Sequence, residues 1–576
     1  MKNWVFRAAP ADAPPESWAD QLSISPFLLG MLWRRGLRSR ESIERFLSAR
    51  LADLTPPSAW PQMPQAADVL CAAIIAGKKP LIWGDYDVDG ITATALCLDV
   101  LEAHGIEAGY HLPSRQSEGY GLNIPQIELA AAQGYRILLT VDCGISDFAA
   151  VARARELGMT VVISDHHIPS ARLPPADAIC NPRLPAAVPC PDLAGVGVAF
   201  YLMGALNAAL ERHTRKRYKM DAALDLVALG TLADVMPLTG ENRILGKGGI
   251  SHIAAAKRPG IAALKAVCDF APAAALNSGQ VVYRLAPRIN AAGRMGQADI
   301  ALQLLRTNDY DTALGIANQL DELNKKRKAE EERIHTEARA QARELLDKNP
   351  NSLVLFGADW HPGVIGIVAS RIVEEFYRPT IIFCEDKGSL KGSGRSIHEF
   401  DLHAGLEASA DCLENFGGHR LAAGLRLRPQ RLEEFRKRFD AEVAARLDLA
   451  SIKPSLELEC ELDFAHACDQ RFIKEIDLLQ PFGQENPEPF FASPPLLVQR
   501  HSFLGRSREH VLLQVQDKKS GISLRAKAWR MAEKMPPPSL EGQTILLAYS
   551  PRLDVYNGIV SVDLEIKDWK QKAGQH

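Results

Sequence analysis

The sequence predicts an α/β protein in three main parts. A parallel-sheet domain is joined by a long helix to a second α/β domain, and a C-terminal β-barrel follows. Three observations predict this. Between about residues 65 and 200, short apolar runs alternate with helical patterns, as in a parallel sheet wrapped by helices. Asn318–Lys348 contains neither Gly nor Pro and is dense in Glu, Lys, Arg and Ala, so it reads as one long solvated connector helix. From about Pro494 to Trp569 the chain alternates in a β manner, as in Val511-Leu-Leu-Gln-Val-Gln, which suits a small barrel. A length of 576 residues agrees, since domains run to roughly 100–200 residues each.

In chain order, residues 1–60 form a helical lead-in, with a helix at Glu41–Leu51 and a break at Leu54-Thr-Pro-Pro-Ser. Residues 61–317 form the first domain. A helix at Ala66–Ala76 precedes the strands Pro80-Leu-Ile-Trp-Gly84, Ile137-Leu-Leu-Thr-Val-Asp142 and Val161-Val-Ile-Ser-Asp165. Residues 318–348 are the connector. Residues 349–450 form the second domain, with strands at Leu353–Phe356 and Thr380–Cys384 around a helix at Ile365–Glu375. Residues 451–576 complete the chain as an OB-like barrel.

The composition, 47% hydrophobic and 24% charged, excludes a disordered, collagen-like or disulfide-scaffold protein. The net charge of −3 argues against a generally basic nucleic-acid coat, while leaving room for a local basic groove. No signal peptide or membrane span is expected. The ten cysteines form no CxxC pair and read as reduced thiols of a cytoplasmic protein, Cys143 among them.

The chemistry gathers where strands end. Three predicted strands each finish on an acidic residue, Asp85, Asp142 and Asp165. Ligands of open parallel sheets bind beyond these carboxyl ends. The first strand continues as Asp85-Tyr-Asp87-Val-Asp89-Gly90-Ile-Thr92. Unpaired carboxylates this close repel one another, and hard cations such as Mg²⁺ or Mn²⁺ are the usual remedy. A calcium EF-hand is excluded, because its twelfth position falls on Leu96 rather than Glu. Asp165 is followed by His166 and His167, which offer imidazole ligands. Asp234 lies in an otherwise apolar run, Leu229-Gly-Thr-Leu-Ala-Asp234-Val-Met. Together these positions can hold two divalent ions, the arrangement suited to phosphodiester hydrolysis. No phosphate loop and no serine elbow is present to support nucleotide-driven or acyl-transfer chemistry.

The ordered motifs Asp85-Tyr-Asp-Val-Asp-Gly, Val141-Asp-Cys-Gly, Asp165-His-His and Gly230-Thr-Leu-Ala-Asp-Val resemble the DHH phosphoesterase family. Within it, the bacterial single-strand-specific exonucleases are similar over nearly the whole chain. The segments that carry this are Tyr110–Arg115, Glu118–Asn123, Leu193–Ala199, Ala286–Met295, Trp360–Gly366, Lys391–Ser396, Asn415–His419 and Pro481–Pro487. The resemblance implies an exonuclease, dependent on Mn²⁺ or Mg²⁺, that degrades single-stranded DNA 5′ to 3′ and releases mononucleotides in repair and recombination. It implies that Asp87 and Asp89 bind different ions, that Asp142 bridges them, and that His166 and Asp234 complete the sites. His167 would face the scissile phosphate, Asp165 would orient a histidine, and Asp85 would be a further ligand or lie just behind. Where many relatives carry a His, this chain has Trp83.

For the DNA, Lys391-Gly-Ser-Gly-Arg395-Ser resembles a phosphate cradle, so Arg115, Ser393 and Arg395 are expected to form a 5′-phosphate pocket. Arg288, Asn290 and Arg294 are strand contacts or packing supports, and His419 can position nucleotides. The segment Gln499–Arg530 is strongly basic, with Phe503, Trp529, His501 and His510 interleaved, as in barrels that grip single strands. Lys325-Lys-Arg-Lys328 adds to the basic side. A monomer is expected; a single-strand-binding protein and a helicase are partners implied by the family alone. The rival readings are a phosphodiesterase of short oligonucleotides or cyclic dinucleotides, and a non-enzymatic DNA-binding scaffold.

Overall fold

The computed structural model describes residues 2–114, 118–185, 188–348, 350–449, 451–505, 508–556 and 559–571. They divide into two units, one of Leu54–Ile452 and one of Met1–Asp53 with Lys453–His576. In the first, five parallel strands lie in the order Gly109–His111, Lys79–Gly84, Tyr135–Val141, Thr160–Ser164 and Ala178–Cys180. Their apolar runs are buried on both faces, which is why they read as continuous rather than alternating. The register aligns Gly84 with Val141 and Val141 with Ser164. Asp85, Asp142 and Asp165 therefore leave the sheet side by side.

The helix Val88–Ala103 follows the first strand and is buried almost throughout. Its neighbours Gly195–Thr214 and Leu224–Ala233 are also largely apolar and interior. This packing lets a polar cluster survive at the sheet edge, because the main core lies behind it. Trp83 is a core residue of the opposite face, packed with Leu81, Leu138 and Ile163.

The connector is longer than its composition suggested. It runs from Tyr310 to Leu346, capped by Asp309, whose carboxylate accepts the Thr312 N–H at 2.8 Å. Gly315 obscures that start in the sequence but fits within the helix. One stripe is buried, including Ala317, Leu320, Ile334 and Ala338. Its basic run is partly paired: Arg327 is buried, while Lys325, Lys326 and Lys328 are exposed. Lys325 pairs with Asp321 and Glu322, and Arg327 with Glu331, so these two charges are not a free basic surface.

The second sheet orders Asn415–His419, Ala422–Leu427, Ser389–Arg395, Thr380–Asp386 and Leu353–Phe356. Only its last pairing is parallel. One thread of contacts joins it to the first sheet within this unit. A side chain on Gly293 would meet the Tyr86 carbonyl oxygen at 2.1 Å, so that helix lies directly on the Asp85–Asp87 loop. The next residue, Arg294, donates to the Gly363 carbonyl at 3.1 Å. Gly366, in the helix that begins there, abuts Ser393 and Arg395.

In the other unit, the strands Thr544–Tyr556, Leu496–Leu504, His510–Asp517, Ser523–Ala528 and Ile559–Gln571 form a closed barrel. The last of these pairs back onto the first. The N-terminal helices pack onto the same core, with Leu28, Leu29 and Leu32 beside Phe472, Phe491 and Tyr549. Arg35 anchors them: it donates to Glu459 at 2.6 and 2.9 Å, to Asn486 at 2.9 Å and to the Pro487 carbonyl at 3.0 Å. Both ion-pair partners are almost fully buried. Arg35→Ala should therefore lower the stability of this unit by about 3–5 kcal/mol, read as a shifted urea midpoint.

Candidate metal centre

Four chain segments converge on one acidic pocket. Asp87 caps the helix Val88–Ala103, its Oδ1 accepting the Asp89 and Gly90 N–H groups at 2.9 and 3.2 Å. Asp89 lies on that helix, Asp142 ends the central strand, and Asp234 ends the helix Leu224–Ala233. Three sets of ligand atoms each lie within 4.8 Å: Asp85, Asp87 and Asp142; Asp89, His166 and Asp234; and Asp142, His166 and His167. His166 Nε2 stands 3.1 Å from Asp142, 3.5 Å from Asp234 and 3.9 Å from Asp89. Neither that nitrogen nor Asp142 Oδ1 makes a hydrogen bond, although both are buried. A cation is the partner that such a donor set fits.

Asp165 plays a different part. Its Oδ1 accepts the His166 N–H, the His167 N–H and the His167 ring at 2.7, 3.1 and 2.8 Å, and its Oδ2 accepts the Ile145 N–H at 2.9 Å. Its oxygens are used in holding the His-His pair. The Tyr120 hydroxyl adds a contact to His167 Nδ1 at 3.2 Å and donates to the Asp142 carbonyl at 3.3 Å.

Electrostatics sort the same residues. Burial, then the charge of Asp87, pushes Asp89 up to about 7. Burial and four neighbouring carboxylates push Asp142 well above the ordinary range, and burial with Asp89, Asp87 and Asp85 does the same to Asp234. Burial lowers His166 to about 3, helped by His167. Burial opposes the charged form of Asp165, but the hydrogen bond and charge of His167 outweigh it and hold Asp165 below its usual range. The same pairing outweighs burial at His167 and raises it. Burial also raises the Cys143 thiol, which leaves it an inert core group.

Residues 79–231 match the DHH family, N-terminal domain, residues 349–445 the DHHA1 domain, and residues 458–568 the RecJ OB domain. The single-stranded-DNA-specific exonuclease RecJ of Dickeya dadantii is 38% identical, over 94% of this chain and 96% of its own. The chain belongs to the RecJ family. The Bacillus subtilis protein of the same name is 35% identical over 88% of this chain, which spans 63% of that protein's length. The crystal structure of RecJ in complex with Mn²⁺ from Thermus thermophilus gives a TM-score of 0.83 at 29% identity, covering 99% of this chain and 80% of that one.

Other expected site residues divide. The segment Lys391–Arg395, expected as a phosphate cradle, is not a loop. It lies in a central strand, paired on both sides, so its backbone N–H groups belong to the ladder and cannot cradle phosphate. Gly392 and Gly394 instead make room for Phe383, Leu425 and Leu402. The side chains carry what remains: Arg395 donates to Ser393 at 3.3 Å and to the Gly394 carbonyl at 2.7 Å. Arg288 is a packing residue, buried against Asp321 at 2.7 Å and donating to the Val267 carbonyl. Asn290 and Arg294 stand on the helix that touches Tyr86. His419 is exposed on an edge strand. Arg115 lies outside the described residues, but its neighbours Ser114 and Glu118 line a cavity of about 220 Å³ with His111 and Asp299.

On the barrel the basic balance is smaller than the local sequence shows. Arg525 and Lys527 are paired with Asp554 and Asp563 from other strands. What stays exposed is aromatic as well as cationic. Arg508 lies 4.5 Å over Phe503, and His510 meets Trp529 edge-on at 5.0 Å.

Sequence reasoning assigned no role to Tyr120, Gly195, Val196 or Asn242, which touch the cluster or its supports only through the fold. The repulsion within the cluster gives a direct expectation. Asp142→Asn keeps the side-chain shape and suits the left-handed backbone at φ 60°. It should stabilise the metal-free protein by about 0.5–2 kcal/mol at neutral pH. The gain should fade as pH falls to the ordinary Asp range, where the unfolded chain also carries Asp142 protonated and folding no longer takes up a proton there. The same substitution should abolish the rise in unfolding midpoint on adding Mn²⁺. Thermal unfolding with chelator and with Mn²⁺ reads both.

Proposed function

We propose that this protein is an exonuclease, dependent on Mn²⁺ or Mg²⁺, that degrades single-stranded DNA from the 5′ end toward the 3′ end. It would release mononucleotides in DNA repair and recombination. The observation that carries the reading is the convergence of Asp85, Asp87, Asp89, Asp142, His166, His167 and Asp234 at one sheet edge in a chain of the RecJ family. Buried carboxylate and imidazole atoms without hydrogen-bond partners fit hard divalent cations. Two such ions, when bound, supply an activated water and charge neutralisation at the phosphate.

The protein's own groups then have distinct tasks. Asp142 and His166 each belong to two of the ligand sets, and Asp142 is the one shared with Asp85 and Asp87. Asp87 and Asp89 serve different sets, and His166 and Asp234 complete the second. His167 is the half-exposed member, held by Asp165 from behind, which suits a group that meets the scissile phosphate. Arg115, Ser393 and Arg395 are proposed to take a 5′-terminal phosphate, with Asn290 and Arg294 guiding the strand. The exposed aromatic and cationic side chains of the barrel suit a single strand, whose bases can stack and whose phosphates pair with Arg.

A nuclease assay with Mn²⁺ on long single strands, short oligomers and duplexes tests the proposal. Wild type should shorten long single strands from the 5′ end, and Asp142→Ala should lose at least about 100-fold of that activity. Equal inactivity of both proteins, or a preference for dinucleotides, would sink it. Arg395→Ala should lose more activity on 5′-phosphorylated strands than on 5′-hydroxyl strands. Equal loss on the two would remove the phosphate pocket.

A further inference from the structure

Asp89 is held by a helix to which it does not belong. The helix Gly195–Thr214 has no side-chain cap of its own at Ala194. Its first two N–H groups, from Gly195 and Val196, instead donate to Asp89 Oδ2 at 2.8 Å and Oδ1 at 2.9 Å. Both oxygens of the carboxylate are thereby fixed in plane and direction, by donors that carry the positive end of a 20-residue helix.

The same helix end touches the second carboxylate. A Cβ added to Gly195 would lie 2.6 Å from Asp142 Oδ1 and 2.9 Å from Asp89 Oδ2. Gly195 thus sits between two carboxylates, and a methyl group there would force them apart. Gly230, one turn before Asp234, presses on Asp89 from another side, where a Cβ would meet Oδ1 at 2.8 Å and Thr92 Oγ1 at 2.4 Å.

Asn242, fully buried, ties this helix end to the Asp234 segment. Its Oδ1 accepts the Ala194 N–H at 3.2 Å, and its Nδ2 donates to the Asp192 carbonyl at 2.6 Å and the Pro237 carbonyl at 3.1 Å. One side chain therefore bridges the residue before Gly195 and the loop three residues past Asp234.

We propose that this frame, with Gly195 and Asn242 as positioning residues, sets the separation of Asp89 from Asp142 and Asp234 and so tunes divalent-metal affinity. The proposal rests on reading the cluster as a metal centre. Removing supports behind metal ligands weakens binding by about 10–100-fold. The expectation follows that Gly195→Ala and Asn242→Ala each raise the Mn²⁺ dissociation constant by that factor. The Mn²⁺ concentration for half-maximal hydrolysis should rise alike, with KM for DNA unchanged. Gly204→Ala, on the same helix, meets only Pro57 at 3.4 Å and should bind Mn²⁺ as wild type does.

The measurement is calorimetric titration of the full chain with Mn²⁺, after circular dichroism has established the fold of each variant. Wild type without Mn²⁺ binding would overturn the metal centre itself. Wild-type binding with Gly195→Ala and Asn242→Ala within about twofold of it would overturn the frame alone. If Gly195→Ala does not fold, Asn242→Ala decides by the same measure. If neither folds even with Mn²⁺, the frame serves folding and the proposal fails.

Discussion

Mutual repulsion among buried carboxylates is the constraint on which this structure turns. Asp85, Asp87 and Asp142 bring ligand oxygens within 4.8 Å of one another, and Asp89 and Asp234 lie close by with His166. Left alone, such a cluster pushes itself apart. The fold resists with rigid surroundings: a parallel sheet whose ends coincide, a nearly buried helix behind Asp87, and helix ends aimed at Asp89. Two residues at the site carry backbone strain as well. Asp142 has φ 60°, and Val235, next to Asp234, has φ 57° although it is β-branched. Each such residue costs about 1–3 kcal/mol and persists only where its neighbours over-determine it.

The large interior explains how that is tolerated. Helices Val88–Ala103, Gly195–Thr214 and Leu224–Ala233 are apolar on most sides and form one continuous core. Their near-uniform hydrophobicity places them inside rather than on the surface. Several polar residues enter that core with partners. Asn242 satisfies three backbone groups, and Arg258 bridges Asp99 and Asp225. Among the charged groups there, Asp142 Oδ1 and the His166 ring nitrogens stand buried without a hydrogen bond, and they converge on the cluster.

The acidic strand ends were legible because each is local: an apolar run and the residue that terminates it. Parallel pairing does the rest, and Asp85, Asp142 and Asp165 needed no distant information. The capping of Asp89 was not legible, since Gly195 stands 106 positions away and offers only a backbone N–H. Lys391–Arg395 misled for the opposite reason. Alternating glycines suit a phosphate loop, but here they clear space for Phe383 and Leu402 within a strand. Nor does composition show that the N-terminal helices share a core with the barrel, because that pairing closes over some 400 residues. Arg525 and Lys527 looked free for want of Asp554 and Asp563, which arrive from later strands.

Charge pairing also changes what a near-neutral total means. A chain with net charge −3 that meets a polyanion must separate its signs. Here the negative excess sits in a pocket that cations can neutralise. Part of the positive charge is spent in ion pairs, on the connector helix and on the barrel. Arg500, Arg508, Lys518, Lys519 and Arg530 remain exposed on the barrel, and Arg508 lies over Phe503. Exposed cations pair with phosphates and exposed rings with bases, so both charge and stacking suit this surface to a single strand. Stacking requires splayed bases, which a duplex does not offer.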